Sequence, residues 1–236
     1  MRVPTGSGSI PLLPNPNIRR HILKTEIILI LDRSGSMQTV WGSTIEGVNK
    51  FIAEQQKEEG ECALTIYQFD HEFDYEARTE DIQSHDFLTN KSYVPRGATA
   101  LHDAICEAID TTRVKIVAKD KEYRPDNVIC VIMTDGHENS STRFTMADVN
   151  KRISKMTNKG WDFVFLGANQ DAIATAKGFG IGAGKSMTIQ ASDSGMQASY
   201  SSMNTYLSNV RSGSVALADN CFSAEDREAQ KVNHNH

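Results

Sequence analysis

The sequence is sparing with several residue types, and each scarcity removes a class of protein. Four cysteines stand among 236 residues, Cys62, Cys106, Cys130 and Cys221, with no CxxC pair and no Cys/His cluster at ligand spacing. That excludes a disulfide framework and a structural zinc site, and reads as reduced cysteine. The longest apolar run, Ile27 to Leu31, is far too short to span a bilayer. Met1 to Pro16 holds no apolar core of signal-peptide length, so the expectation is a cytoplasmic protein. Neither charge sign dominates: 25 basic against 30 acidic residues gives a net charge of −5. A mildly acidic chain has no general affinity for nucleic acid. Proline is rare, with six in all. Four of these, Pro4, Pro11, Pro14 and Pro16, fall in one stretch, so residues 1–23 are expected to form an extended arm.

What is present is a repeating pattern. TEIILILD, CALTIYQF, NVICVIMTD and WDFVFLG are continuous apolar runs, as expected of strands covered on both faces. EFDYEAR alternates and suits a hairpin partner at the sheet edge. Between the runs, Ile45, Val48 and Ile52 recur at helical spacing. So do Leu101, Ala104, Ile105, Ala108, Ile109 and Thr112, and then Met146, Val149, Ile153 and Met156. A short helix over 171–177, a weak strand SMTIQ and a last helix over 194–210 complete the series. That last helix is rich in Ser, Gly and Asn, so its intrinsic propensity is weak and its stability must come from packing. Beyond Arg211 the composition turns polar, and 211–236 is expected to be a flexible tail. Strand and helix alternate across 24–210. This predicts an α/β fold: a doubly wound, mostly parallel sheet with helices on both faces. Ligands bind such sheets at the carboxyl ends of the strands.

Two of the strong strands end in aspartate at that edge. Asp32-Arg33-Ser34-Gly35-Ser36 closes the first, and Thr134-Asp135-Gly136 closes the third. Gly97-Ala98-Thr99 precedes the long helix and adds a hydroxyl. Two carboxylates and three hydroxyls are hard oxygen donors, suited to Mg²⁺ or Mn²⁺, with Ca²⁺ also accommodated. Each piece has a plainer reading: Ser34 or Ser36 and Thr99 as helix N-caps, and Asp135 as an Asx turn.

The order Asp32, Ser34, Ser36, then Thr99, then Asp135 resembles the von Willebrand factor A domain and its metal-ion-dependent adhesion site. The resemblance spans about residues 24–190. FVFLGANQDAIATA is further similar to a bacterial and phage branch of these domains. The resemblance implies that Ser34, Ser36 and Thr99 touch the ion directly and that Asp32 and Asp135 act through bound water. It implies that a partner protein supplies an Asp or Glu carboxylate as the remaining ligand.

Other residues form a second circle of candidates. His137 and Glu138 are expected either to line the metal rim or to lie in a solvated loop. Asn169 either shapes the groove or caps a helix. Trp41 and Phe144 are either rim anchors or packing. Asp70 and His71 read as a hairpin turn, and His102 as a surface or core histidine. GFGIGAGKS, residues 178–186, lacks the four-residue glycine spacing of a phosphate loop and reads as a turn. Val210-Arg211-Ser212-Gly213-Ser214 repeats the RSGS of the first strand end without its acid. An enzyme has less to work with. No G-x-S-x-G elbow occurs, no second acid stands two positions after Asp32, and only His137 or Glu138 could serve as a base. The sequence therefore points to a metal-dependent protein-binding module. A metal-dependent hydrolase is the first alternative, and an RNA- or nucleotide-binding module the second.

Overall fold

The computed structural model describes residues 23–75, 81–168, 171–217 and 220–230, with Asp74 and Tyr75 described in backbone only. The proposed arm before Leu23, Asn169, and the tail histidines His234 and His236 lie outside the described residues.

Among the described residues, six strands form one sheet: β1 (Thr25–Asp32), β2 (Cys62–Phe69), β3 (Phe73–Tyr75), β4 (Asn127–Thr134), β5 (Trp161–Ala168) and β6 (Ser186–Ile189). Their order is β3-β2-β1-β4-β5-β6, with every pair parallel except the hairpin β2–β3. The helices are α1 (Trp41–Gln55), α2 (Leu101–Ala118), α3 (Met146–Thr157), α4 (Ala172–Phe179), α5 (Asp193–Arg211) and α6 (Ala224–Ala229).

The continuous apolar runs are explained by burial on both faces. Along β1, Ile27, Leu29 and Leu31 join one core with Val48, Phe51 and Ile52 of α1 and Met196, Tyr200, Met203 and Leu207 of α5. Ile28 and Ile30 join a second core with Ala104, Ile105 and Ala108 of α2, Val149 and Ile153 of α3, and Ala172 and Ala176 of α4. Each fully buried Leu or Ile contributes about 1.5–3 kcal/mol. One polar substitution in β1 would therefore damage whichever core that residue faces.

The chain leaves β1 for β2 on one side and reaches β4 on the other, so the strand order reverses beside β1. Leu31 pairs with Met133. The ends of β1 and β4 thus stand level at the topological switch point, where a crevice opens.

At the C-terminal end one expectation agrees with the structure and one needs correction. First, α5 is held by its packing, as its weak intrinsic propensity requires. Arg211, its last residue, is buried and donates to the backbone carbonyls of Gln55 at 2.6 Å, Glu58 at 3.2 Å and Gly60 at 3.3 Å. Gln55 Nε2 donates to Asn204 Oδ1 at 3.1 Å, and Tyr206 donates to Asp162 Oδ2 at 2.6 Å. Second, the segment from 220 to 230 is packed rather than loose. Cys221 and Phe222 are buried, and α6 opens with a Ser223–Asp226 capping box. Arg227 donates to the Ser186 carbonyl at 2.7 Å, and Gln230 accepts from the Gln190 amide at 3.0 Å. A polar composition looked unattached because its polar groups bind backbone at the sheet edge, an interaction that leaves no apolar period in the sequence.

No helix among the described residues is long and apolar enough to cross a membrane.

Candidate metal centre

The first strand end is built around Asp32, which is fully buried. Its Oδ1 accepts the Ser34 amide at 2.6 Å, and its Oδ2 accepts the Thr134 hydroxyl at 2.5 Å. Ser34 Oγ lies 3.1 Å from Ser36 Oγ, and Ser36 Oγ donates to Asp135 Oδ1 at 2.7 Å. The other Asp135 oxygen, Oδ2, is buried with no hydrogen-bond partner.

The Thr99 loop is drawn in by backbone. Gly35 N donates to Gly97 O at 3.1 Å, and Arg96 N to Arg33 O at 2.7 Å. Gly97 has φ +67°, a left-handed conformation that glycine adopts without strain. Thr99 is then fixed by Asn139, whose Oδ1 accepts the Thr99 amide at 2.9 Å. Gly136 shows how tightly the oxygens gather. A Cβ there would stand 2.8 Å from Thr99 Oγ1 and 3.4 Å from Ser36 Oγ. The five residues expected to converge do so.

The plainer readings of those residues are not what the structure has. Ser34 makes no side-chain cap bond, and α2 is capped by Ala100, not Thr99. The Asp135 carboxylate reaches across the site instead of turning back on its own loop: Oδ1 accepts from Ser36 Oγ and Oδ2 has no hydrogen-bond partner.

Electrostatics single out the pair of acids. Burial pushes the Asp32 carboxyl up to about 7, against hydrogen bonds from Thr134 and Ser34, and the nearby Asp135 charge adds to the rise. Burial also raises Asp135, opposed by the Ser36 bond. Both acids are surrounded by hydroxyls and amides, which stabilise negative charge only in part. The donor set is all oxygen, one buried carboxylate oxygen lacks a partner, and the cradle beside Gly136 has no room for a side chain. These features fit a hard divalent cation.

The rim is corrected in detail. His137 is exposed, as a rim residue or a solvated loop residue would be. Glu138 is a structural residue. Its carboxylate accepts from the amides of His102 at 2.8 Å, Ser140 at 2.9 Å and Ser141 at 2.7 Å, and from Ser141 Oγ at 2.7 Å. Against the effect of burial, these bonds hold it below the usual carboxylate range. Trp41 and Phe144 are packing rather than free anchors. Trp41 donates to the Tyr93 carbonyl at 2.7 Å, and Phe144 lies under the guanidinium of Arg152 at 4.5 Å. His102 packs edge-on against Phe179 with centroids 5.7 Å apart.

Asp70, His71 and Glu72 bring three potential ligand atoms within 4.8 Å of one another. Asp70 is already neutralised, however, by Arg33 Nε at 2.9 Å and Arg96 Nε at 2.7 Å. Lys185 of the glycine-rich turn is similarly engaged, bound to Asp162 at 3.0 Å, the Leu217 carbonyl at 2.7 Å and the Tyr206 hydroxyl.

Several supporting residues had no sequence signal. Thr134 is the second donor to Asp32, Tyr93 Oη donates to the Asp32 carbonyl at 2.7 Å, and Asn139 fixes the Thr99 amide.

The model of the von Willebrand factor type A domain matches residues 26–204. The chain belongs to that family. Solved structures with this fold include proximal thread matrix protein 1 from the mussel byssus, in a form whose metal-ion-dependent adhesion site is occupied by zinc. It is 15% identical at TM-score 0.53, over 76% of this chain and 46% of that one. The pilus adhesin SpaC of Lactobacillus rhamnosus GG is 11% identical at TM-score 0.58, over 81% of this chain and 31% of that one. The domain of the type V pilus tip protein Mfa5 from Porphyromonas gingivalis is 10% identical at TM-score 0.55, over 79% of this chain and 95% of that one. The chain thus spans less than half the length of the first two. At these identities the likeness establishes the fold alone. No curated protein matches the sequence.

Proposed function

We propose that this von Willebrand factor type A domain is a divalent-cation-dependent protein-binding module, not an enzyme. The observation that carries the reading is the buried, unpartnered Asp135 Oδ2 beside a second buried acid, in a cluster that contains hydroxyls and no cationic side chain. Ser34, Ser36 and Thr99 would hold the ion directly, with Asp32 and Asp135 acting through water. The hydrogen bonds support that division. Thr134 gives its proton to Asp32 and Ser36 gives its proton to Asp135, which leaves the Ser36 lone pairs for a cation. Mg²⁺ or Mn²⁺ suits this oxygen set best, and Ca²⁺ is accommodated. When bound, the ion supplies a positive centre for an acidic side chain of a partner protein. The engagement of Glu138 favours binding over hydrolysis, because a water-activating base needs a free carboxylate.

The test is calorimetric titration of the chelator-stripped protein with MnCl₂ and MgCl₂, followed by capture of a partner with and without Mg²⁺. Saturable heat that disappears in Asp32→Ala is expected. Absence of any heat with both ions would overturn the reading.

A further inference from the structure

A second interaction surface lies on the flank of the sheet, between α2 and α3. On α2, Asp110, Arg113, Val114 and Val117 fall at i, i+3, i+4 and i+7, and therefore share one helix face. On α3, Asp148, Lys151, Arg152 and Lys155 have the same spacing. Asp110 and Arg113 of the first stripe and all four residues of the second line a groove of about 280 Å³ together with Ile109 and Met156, and Val114 and Val117 lie on the α2 face beyond that lining. Ile109 and Met156 are each 1% exposed and form its apolar floor.

The charges around this groove are not balanced locally. Asp110 is taken by Arg152 at 2.9 Å, and Asp148 by the capping box of α3. Among the described residues, Arg113, Lys151 and Lys155 make no ion pair and no side-chain hydrogen bond. The six charged groups of the two stripes sum to 4 − 2 = +2, on a chain of net charge −5. Val114 and Val117 continue the α2 stripe at 58% and 54% exposure, among the most exposed large apolar side chains described. Solvent-facing valines on one helix face beside unpaired cations match the complement of an amphipathic segment.

We infer that the α2–α3 groove docks an acidic amphipathic helix of a partner protein. The partner's apolar residues would lie on Val114, Val117 and the Ile109–Met156 floor, and its carboxylates would meet Arg113, Lys151 and Lys155. The concave, part-apolar shape favours a protein segment over nucleic acid, because phosphates gain nothing from the valines and the groove has no ring for bases to stack on. The surface uses none of the metal-centre residues, so its occupancy is independent of Mg²⁺.

The probe is a fluorescein-labelled peptide of about 18 residues, with Leu at i, i+3, i+4 and i+7 and Glu and Ala elsewhere. Binding is read by anisotropy in chelator, against a composition-matched scrambled peptide and a fluorescein-labelled oligouridine. The patterned peptide should saturate below about 1 mM and bind about tenfold more tightly than the scramble. Lys151→Glu with Lys155→Glu should weaken it about tenfold, and Val114→Ser with Val117→Ser about fivefold. Asp135→Asn should leave it unchanged. All four flank positions are exposed, so melting curves of these variants should match the parent. Equal binding of the scramble, or indifference to both double variants, overturns the proposal. So does oligouridine that binds more tightly than the peptide and is lost in the lysine double variant, which would make the surface one for nucleic acid.

Discussion

Two groups of carboxylates sit at the same edge of the same sheet and have opposite electrostatics. Asp70, after β2, carries its own cations: Arg33 and Arg96 hold its Oδ2 at 2.9 and 2.7 Å. Burial alone would raise its pKa. Hydrogen bonds from Arg96, the Glu72 amide and Arg33 outweigh that and hold it below the ordinary range. Asp32 and Asp135, at the ends of β1 and β4, receive only hydroxyls and amides, and both are raised. The comparison teaches that burial does not by itself decide what an acid does. Asp70 is a finished structural unit. Asp32 and Asp135 lack a positive charge that the chain does not provide, and this supports an external ion there.

The largest expected effect comes from breaking the finished unit. Asp70→Ala leaves Arg33, 8% exposed, without its carboxylate. It should cost about 3–5 kcal/mol in urea unfolding, the same in chelator as in Mg²⁺. A loss under 1 kcal/mol would remove Asp70 as a structural anchor.

Asp135→Asn should behave in the opposite way. In chelator the variant should be as stable as the parent or slightly more so, since two buried acids no longer repel. In the parent, ion at a hundred times its Kd should add about 2.7 kcal/mol by mass action, and the variant should lose most of this. Instability of Asp135→Asn without metal would mean that the residue is structural.

Titration should separate the two groups by the sign of a slope. Asp32 keeps its proton up to about 7 in the fold. In chelator the folded state therefore binds more protons than the unfolded chain between about pH 4 and 7. Stability should fall as pH rises through that window, by at most about 1.4 kcal/mol per unit. Asp32→Asn should flatten the slope. Asp70 has the opposite sign. Its contribution is present above the unfolded value of 3.8 and is lost as pH falls through its lower folded value. Asp70→Asn should remove that acid-side loss. Equal slopes in parent and Asp32→Asn between pH 4 and 7 would contradict the assignment.

The smallest effect belongs to Thr99→Ala, which removes one neutral hydroxyl. Ion affinity should drop about tenfold, near 1.4 kcal/mol, with an unchanged melting temperature in chelator. An unchanged Mn²⁺ titration would exclude Thr99 as a ligand.

The sequence alone determined the architecture, because a strand buried on both faces must be apolar throughout and the helices between must be striped. TEIILILD and NVICVIMTD state this directly, and the strand ends they define put Asp32 and Asp135 at the same edge of the sheet. It also set out the five oxygen-bearing residues, because their turn and loop positions are local. Whatever depended on a partner distant in sequence was decided by the tertiary structure. Asp70 read as a turn residue because Arg96 is 26 positions away, and Glu138 read as a rim or solvated loop residue because the His102 amide it accepts from belongs to the first turn of α2, 36 positions away. The polar stretch after Arg211 read as a tail because Arg227 and Gln230 are satisfied by backbone at the two ends of β6, about 40 residues earlier. Hydrophobic burial leaves a period that can be read along the chain. A hydrogen bond or ion pair between distant segments leaves none, since either residue alone is equally at home in water.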